Sequence, residues 1–130
     1  MGASSSITNV PIYYSFNNED LKYNFLENLN KSINNNSFIN IVQEIEKSKI
    51  VVMCITNDII RRSVQLNILN QAMDLNTPIL FINLQDNLPD YIKKSLIKMG
   101  INFTLCSKET DIEKTIDEIQ KTLIQIINPN

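Results

Sequence analysis

A run of six apolar residues, Ile50–Ile55, constrains the fold of this 130-residue chain more than any other feature. The run is rich in β-branched side chains and has no polar alternation, which is typical of a central strand buried on both faces of a parallel sheet. Residues 79–82 form a second such run after an intervening helical pattern. Short strands that alternate with helices pair in parallel through right-handed crossovers. We therefore predict a flavodoxin-like three-layer α/β sandwich, with a doubly wound parallel sheet of four to five strands.

The first half of the chain supplies one more strand and two helical patterns. Residues 10–16 are β-branched and aromatic, as in a strand, and Asn17 or Asn18 is placed to cap the helix that follows. A shorter helical pattern covers residues 39–45, so the second strand is predicted to be short or missing. The apolar stripe of the first helix comprises Leu21, Phe25, Leu26, Leu29 and Ile33.

The second half of the chain has clearer helix and strand signals. A helix is predicted over residues 58–73, and a short helix follows that ends at Gly100, a residue type that favours helix termination. Residues 101–105 alternate apolar and polar side chains, as an edge strand does. A last helix begins with the capping-box pattern of Thr110 and Glu113 and carries a regular apolar stripe.

The length fits one domain, predicted over residues 10–128 and preceded by a flexible leader over residues 1–9. The leader matches the N-myristoylation pattern, because Gly2 follows the initiator methionine and Ser6 stands at the required later position. The alternative is a disordered segment of small residues. No apolar stretch is long enough to span a membrane. The predicted localisation is therefore cytoplasmic, with peripheral membrane attachment only if Gly2 is acylated.

Composition excludes several classes of chemistry. The chain contains no histidine, which removes Ser-His-Asp and Cys-His nucleophiles and imidazole metal sites. Its two glycines cannot form a Walker loop or a GxGxxG turn, and its net charge of −2 offers no field for nucleic acid. The two cysteines, Cys54 and Cys106, indicate a reduced protein rather than a disulfide scaffold or a metal cluster. We predict no metal and no resident cofactor.

Three short motifs occur in order along the chain. Residues 12–15 read Ile-Tyr-Tyr-Ser, with Asp20 entering the first helix. Residues 45–56 read as a helix ending in Ile-x-x-Ser, an apolar strand and a threonine, and residues 78–82 open with Pro-Ile. Together the motifs resemble the Toll/interleukin-1 receptor (TIR) domain family, which implies a doubly wound fold. The resemblance also implies signal transduction, including innate immunity, through association with other proteins such as TIR domains or a second copy of the chain.

Two features depart from the family pattern. The short second-strand region leaves no room for the family's long Pro-Gly loop, so the usual TIR–TIR association surface is not expected. Enzymatic TIR domains cleave NAD and carry a glutamate in a Ser-x-x-Cys-x-x-Glu pattern, whose three positions fall here on Arg62, Gln65 and Ile68. A carboxylate is needed because bond cleavage leaves an oxocarbenium-like ribose. Residues 59–73 contain no acidic side chain, which disfavours NAD hydrolysis.

The other candidates lie at the carboxyl ends of the strands, where ligands of doubly wound sheets bind. Glu19, Asp20 and Asp58 come from loops that could approach this edge and supply an acid. The alternative, without a functional role, is that these acids are solvated or cap helices. Asp58 is well placed to be a cap, because it lies where a helix is predicted to begin. The loops at this edge are predicted to begin at Ser15, Thr56 and Asn83.

Arg61 and Arg62 form the densest positive pair of the chain. The favoured interpretation is an exposed helical face, and the alternative is an anion or acidic partner, since cations near a helix N-terminus oppose the helix dipole. A phosphoacceptor receiver domain shares the fold, but no aspartate ends Ile50–Ile55. We predict a non-catalytic TIR-like signalling or adaptor module that binds proteins. The alternative is a degenerate NAD-hydrolysing or nucleotide-binding TIR enzyme.

Overall fold

Five parallel strands form one sheet in the order β2-β1-β3-β4-β5. The computed structural model describes residues 9–85, 87–107 and 112–128, with only the backbone described for Ser107. The strands are β1 (Val10–Ser15), β2 (Ile39–Ile41), β3 (Ile50–Ile55), β4 (Ile79–Asn83) and β5 (Phe103–Ser107). The helices are α1 (Asn24–Asn34), α2 (Ser63–Asp74), α3 (Asp90–Lys98) and α4 (Ile112–Ile127). The predicted flavodoxin-like, doubly wound α/β fold is confirmed, with five strands.

The sheet separates two apolar cores. Helices α1 and α4 cover one face, where Leu26, Leu29 and Leu123 pack against alternate residues of β1 and β3. Helices α2 and α3 cover the other face, where Leu69 and Leu96 pack against the intervening residues of β3 and β4. Because all six residues of β3 are buried, the prediction of a central strand enclosed on both faces is correct.

The second strand is present, and the helix predicted over residues 39–45 is wrong. Ile39–Ile41 pairs in parallel with β1, with Ile39 opposite Val10. Ile39 is buried in the core beneath α1, whereas Asn40 is exposed. Three residues are too few to distinguish a strand from one turn of helix by periodicity, and pairing with β1 decides the outcome. A 3₁₀ turn, Ile45–Lys47, is the helical element between β2 and β3.

Two predicted helices begin later than their apolar patterns suggest. The segment Asn18–Lys22 is a 3₁₀ turn capped by the side chain of Asn17, which accepts a hydrogen bond from the Glu19 amide. Leu21 is therefore exposed and does not belong to the buried stripe of α1. The segment Ile59–Arg61 is also a 3₁₀ turn, and the backbone is extended at Arg62 before α2 begins.

The end of α3 forms as predicted. Gly100 has a φ of 87°, and its amide donates to Ile97 O while the Ile101 amide donates to Leu96 O. This arrangement closes the helix as a Schellman motif, which requires a left-handed residue. The predicted cap at Thr110 and most of the leader, including Gly2, lie outside the described residues. Within the described ranges, no helix has both the length and the apolar character needed to cross a membrane.

Candidate functional site

The carboxyl ends of three neighbouring strands bring the predicted loops together at one edge of the sheet. Ser15 ends β1, Thr56 follows β3 and Asn83 ends β4, and all three residues are buried. Their burial means that polar side chains line the interior of this edge. The strand order places β1 beside β3 and β3 beside β4, so the three loops are direct neighbours.

A buried ion pair joins the loop after β1 to the start of α2. Arg62 donates through Nη1 to Asp20 Oδ2 at 2.6 Å and through Nη2 to Asp20 Oδ1 at 3.0 Å. The Asp20 side chain is 1% exposed and that of Arg62 is 12% exposed. The bidentate geometry is the strong form of this interaction, since two parallel hydrogen bonds fix both groups.

The environment of Arg62 stabilises its charge. The hydrogen bonds that Arg62 donates to Asp20 raise the pKa of the Arg62 guanidinium above its ordinary value, and the charges of Asp58 and Glu19 add to this effect. Asp58 contributes an oxygen 3.9 Å from Nη2, although its side chain is 63% exposed. The predicted exposed face is thus wrong for Arg62, whose anionic partner is internal, and correct for Arg61.

Two positions of α2 that the TIR resemblance singles out carry no acid. Gln65 is buried and donates through Nε2 to the carbonyl of Cys54 at 3.1 Å, while its Oε1 has no hydrogen-bond partner. Ile68 is half-buried and packs against the core on the α2 side of the sheet. Ile68 lies about 7.5 Å further along the helix axis than Ser63, the residue that follows Arg62, given a rise of about 1.5 Å per residue. The Asp20–Arg62 pair therefore lies at the beginning of α2, well before Ile68.

One hydrogen bond joins the loops after β3 and β4, and a second orders the loop after β4. The Asn57 amide donates to Gln85 Oε1 at 2.7 Å, and the Gln85 amide donates to Asn83 Oδ1 at 3.2 Å. Asp58 makes no side-chain cap, contrary to its expected role. Instead, its amide donates to the Thr56 hydroxyl at 3.3 Å. Asn57 Oδ1 is buried without a partner, like Gln65 Oε1.

A second polar cluster lies beneath α1 and was not predicted. The Tyr14 hydroxyl donates to Asn30 Oδ1 at 2.5 Å and lies 3.3 Å from Cys54 Sγ. Burial raises the pKa of the Cys54 thiol to about 12, and burial followed by the charge of Cys54 raises the pKa of the Tyr14 hydroxyl. Cys54 is thus a core residue whose thiol is unreactive. The alternation of side chains along β1 indicates the face of the sheet on which Tyr14 lies. No signal in the sequence indicates that its hydroxyl meets Asn30 and Cys54.

At this edge of the sheet, the buried charged side chains pair with each other and are not presented to a ligand. Among the described residues, Asp20 is the one buried ionisable group with an acidic side chain, and a guanidinium occupies both of its oxygens. Glu19 and Asp58 are exposed and lie on the outer side of the loops. The acids expected to approach this edge are therefore close to Arg62, but they do not converge on an open position.

The opposite edge of the sheet carries a cavity of about 410 Å³. It lies where β4 and β5 begin, between Pro78, Phe103 and Ile126. Its polar lining consists of amides and hydroxyls such as Asn76 and Thr104, without a charged side chain. The volume at this end of the sheet thus belongs to a different surface from the Asp20–Arg62 pair.

No protein-family model matches this chain, and no curated protein does either. The principal features of this edge are a closed ion pair, two unpaired buried amide oxygens and a helix, α2, that has no acidic side chain before Asp74.

Proposed function

We propose that this chain is a non-catalytic TIR-like signalling or adaptor module that acts by binding other proteins. One observation carries the proposal: α2 has Ile68 at the position where the NAD-cleaving pattern has its glutamate, and the buried acid at this edge, Asp20, is bound by Arg62. A carboxylate held by a guanidinium cannot also stabilise a developing positive charge on ribose, because its own charge is already compensated.

The size of this effect favours binding over catalysis. Loss of a single electrostatic contact to a transition state costs about 3 kcal/mol, which is more than a hundredfold in rate. Glu19 and Asp58 are exposed to water, where a charge interaction is much weaker than in a dry site. Neither acid therefore replaces the absent glutamate.

The direct test is an NAD turnover assay with the purified chain, with nicotinamide release as the readout. We expect no release above that of a heat-denatured sample. Turnover that the substitution Glu19→Gln or Asp58→Asn abolishes would identify an enzyme and contradict the proposal. A Lys22→Gln variant is the matched control, because Lys22 lies in the same loop as Glu19 and carries no acid.

A second candidate function, a degenerate nucleotide-binding or NAD-hydrolysing TIR enzyme, is favoured by the unpaired oxygens of Gln65 and Asn57. Buried acceptors without a donor are costly, and ribose hydroxyls and a nucleobase amino group are donors. Thermal unfolding with NAD or ADP-ribose tests this candidate. A rise in Tm that Gln65→Leu removes would support nucleotide binding, whereas an unchanged Tm would support the protein-binding function.

We also propose that the domain is cytoplasmic and that an acyl chain on Gly2 tethers it to a membrane surface. The support is the match of the first six residues to the N-myristoylation pattern. One myristoyl chain gives only marginal membrane affinity, so the tether would be reversible. Coexpression with an N-myristoyltransferase followed by intact-mass measurement tests this proposal, and Gly2→Ala is the control. An unmodified wild-type chain would refute it.

A further inference from the structure

The crossover from β2 to β3 is unusually short. Only residues 42–49 connect the two strands, whereas a parallel crossover normally takes a dozen or more residues and includes a helix. The 3₁₀ turn Ile45–Lys47 takes the place of that helix, and Ile45 packs on the face of the sheet that α2 and α3 cover. The layer of helices on this face is therefore incomplete next to α2.

A groove lies where the helix is missing. Tyr13 of β1 is half-buried on this face, and Asn40 of β2 is exposed. Between the 3₁₀ turn and α2 there is a cavity of about 220 Å³. We call it the crossover groove, lined by Tyr13, Glu44, Ile45, Glu46, Gln71 and Leu75.

The side of α2 next to the groove has the pattern of a helix-packing seam. Val64, Ile68, Gln71 and Leu75 are spaced by four, three and four residues, so they lie on one side of the helix. Val64 is 72% exposed and Leu75 is 49% exposed, while Gln71 and Leu75 line the groove. A stripe of this spacing packs well against a second helix, because the side chains form ridges that fit the grooves of the partner.

The charge around the groove specifies the partner further. Glu44 and Glu46 line it, and Asp74 is exposed at the end of α2. Lys47 pairs with Glu44 at 2.7 Å, which leaves a net negative charge. The last turn of α2 contains no basic residue, so the negative end of its dipole is uncompensated by its own side chains. A positively charged partner complements this surface.

We propose that the crossover groove binds an amphipathic helix of a partner protein, with an apolar stripe that packs on Tyr13 and the exposed side of α2 and with lysine or arginine beside Glu44 and Glu46. The partner helix completes the layer that the short crossover leaves open. This inference rests on the proposed protein-binding function and names the surface and the kind of partner.

The probe is a synthetic helical peptide with leucines at the heptad a and d positions and lysines on both flanks. A second peptide keeps the leucines and replaces the lysines with glutamates. Fluorescence anisotropy with the full chain measures both dissociation constants. We expect the lysine peptide to bind at least about tenfold more tightly than the glutamate peptide, and Glu44→Gln/Glu46→Gln to reduce this preference.

A pair of matched double variants locates the binding surface. Val64→Gln/Leu75→Gln is expected to weaken binding of the lysine peptide by about tenfold or more, since it removes the apolar contacts. The control is Ile97→Gln/Met99→Gln at the end of α3, where the two side chains are 64% and 44% exposed and Met99 is the residue after the helix. This control should change the dissociation constant by less than about twofold.

Three outcomes would overturn the inference. In the first, the α2 and α3 variants affect binding equally. In the second, the glutamate peptide binds as tightly as the lysine peptide. In the third, sedimentation reveals a dimer of the chain that Val64→Gln/Leu75→Gln dissociates, so that a second copy occupies the groove. Absent NAD turnover together with any of these results would leave the proposed function standing and remove only the groove as its site.

Discussion

Arg62 donates hydrogen bonds to both carboxylate oxygens of Asp20, a residue forty-two positions earlier in the sequence. The contact joins the loop after β1 to the first residue before α2, so it fixes two loops that neighbouring strands place side by side. The backbone is extended at Arg62, the residue that makes this contact.

Removal of Arg62 should destabilise the domain more than removal of Asp20. Arg62→Met leaves a carboxylate that is 1% exposed without its counter-charge and should lower the free energy of unfolding by about 4 kcal/mol. Asp20→Asn should cost about 2 kcal/mol, because Arg62 retains access to water and to Asp58. Urea unfolding measures both values. Equal losses, or a loss near zero for Arg62→Met, would show that the ion pair is not buried in solution.

Stability should fall at alkaline pH. The Cys54 thiol has a pKa raised from 9.0 to about 12, and the pKa of Tyr14 is raised above its ordinary 10.0. The unfolded chain therefore ionises first, at Cys54 above pH 9 and at Tyr14 above pH 10, and each group then lowers the free energy of unfolding by up to about 1.4 kcal/mol per pH unit. Their contribution is complete below pH 9 and is lost as pH rises towards the folded pKa.

The variant Tyr14→Phe tests this assignment. It should flatten the decline in stability above pH 10, the ordinary pKa of tyrosine, because one of the two groups no longer titrates. Tyr91→Phe is the matched control, since the Tyr91 side chain is 63% exposed. Identical pH profiles for the wild type and Tyr14→Phe would contradict the role of the buried hydroxyl.

Gln65 should tolerate an apolar replacement better than a charged one. Gln65→Met removes one hydrogen bond to Cys54 O and one unpaired acceptor, so the two effects should cancel to within about 1 kcal/mol. Gln65→Glu places an uncompensated charge in a buried position and should cost about 3 kcal/mol at neutral pH. Urea unfolding of both variants at neutral and acidic pH tests this prediction. Protonation of the introduced glutamate at acidic pH should restore part of the lost free energy of unfolding.

Gly100 should be required for its backbone conformation alone. A Cβ built at Gly100 meets no atom within 4 Å, but the φ of 87° disfavours any side chain. Gly100→Ala should therefore lower the free energy of unfolding by about 1 kcal/mol, and Gly100→Asn by less. The exposed Lys98→Ala on the same helix is the control. A neutral Gly100→Ala would indicate that the end of α3 rearranges.

The elements that could be predicted are those whose signal is local. The continuous apolar runs of β3 and β4 indicate burial on two faces without knowledge of any neighbour. The three residues of β2 carry no comparable signal, because their pairing with β1 determines their conformation. The late start of α2 coincides with a non-local contact, that of Arg62 with Asp20, whereas α1 is preceded by a 3₁₀ turn that Asn17 caps locally.

For the candidate site, residue types could be predicted but their pairing could not. Asp20, Arg62 and Gln65 are all identifiable as candidates from motif spacing and charge. Which acid meets Arg62 depends on how two loops forty-two residues apart approach each other, and the sequence contains no measure of that distance. The 4-3-4 spacing of Val64 and its neighbours on α2 was available in the sequence, and it is the signal for the crossover groove.

The brevity of β2 has a further consequence for how the molecule opens. β2 pairs with β1 over only three residues, and a short connection follows it. It therefore has the fewest hydrogen bonds to the sheet, so partial unfolding should begin at this edge strand. Its release uncovers the main-chain amides and carbonyls of β1, a ready template for a strand from another molecule. Exchange of β2 between two chains is thus the expected route to domain swapping at high protein concentration.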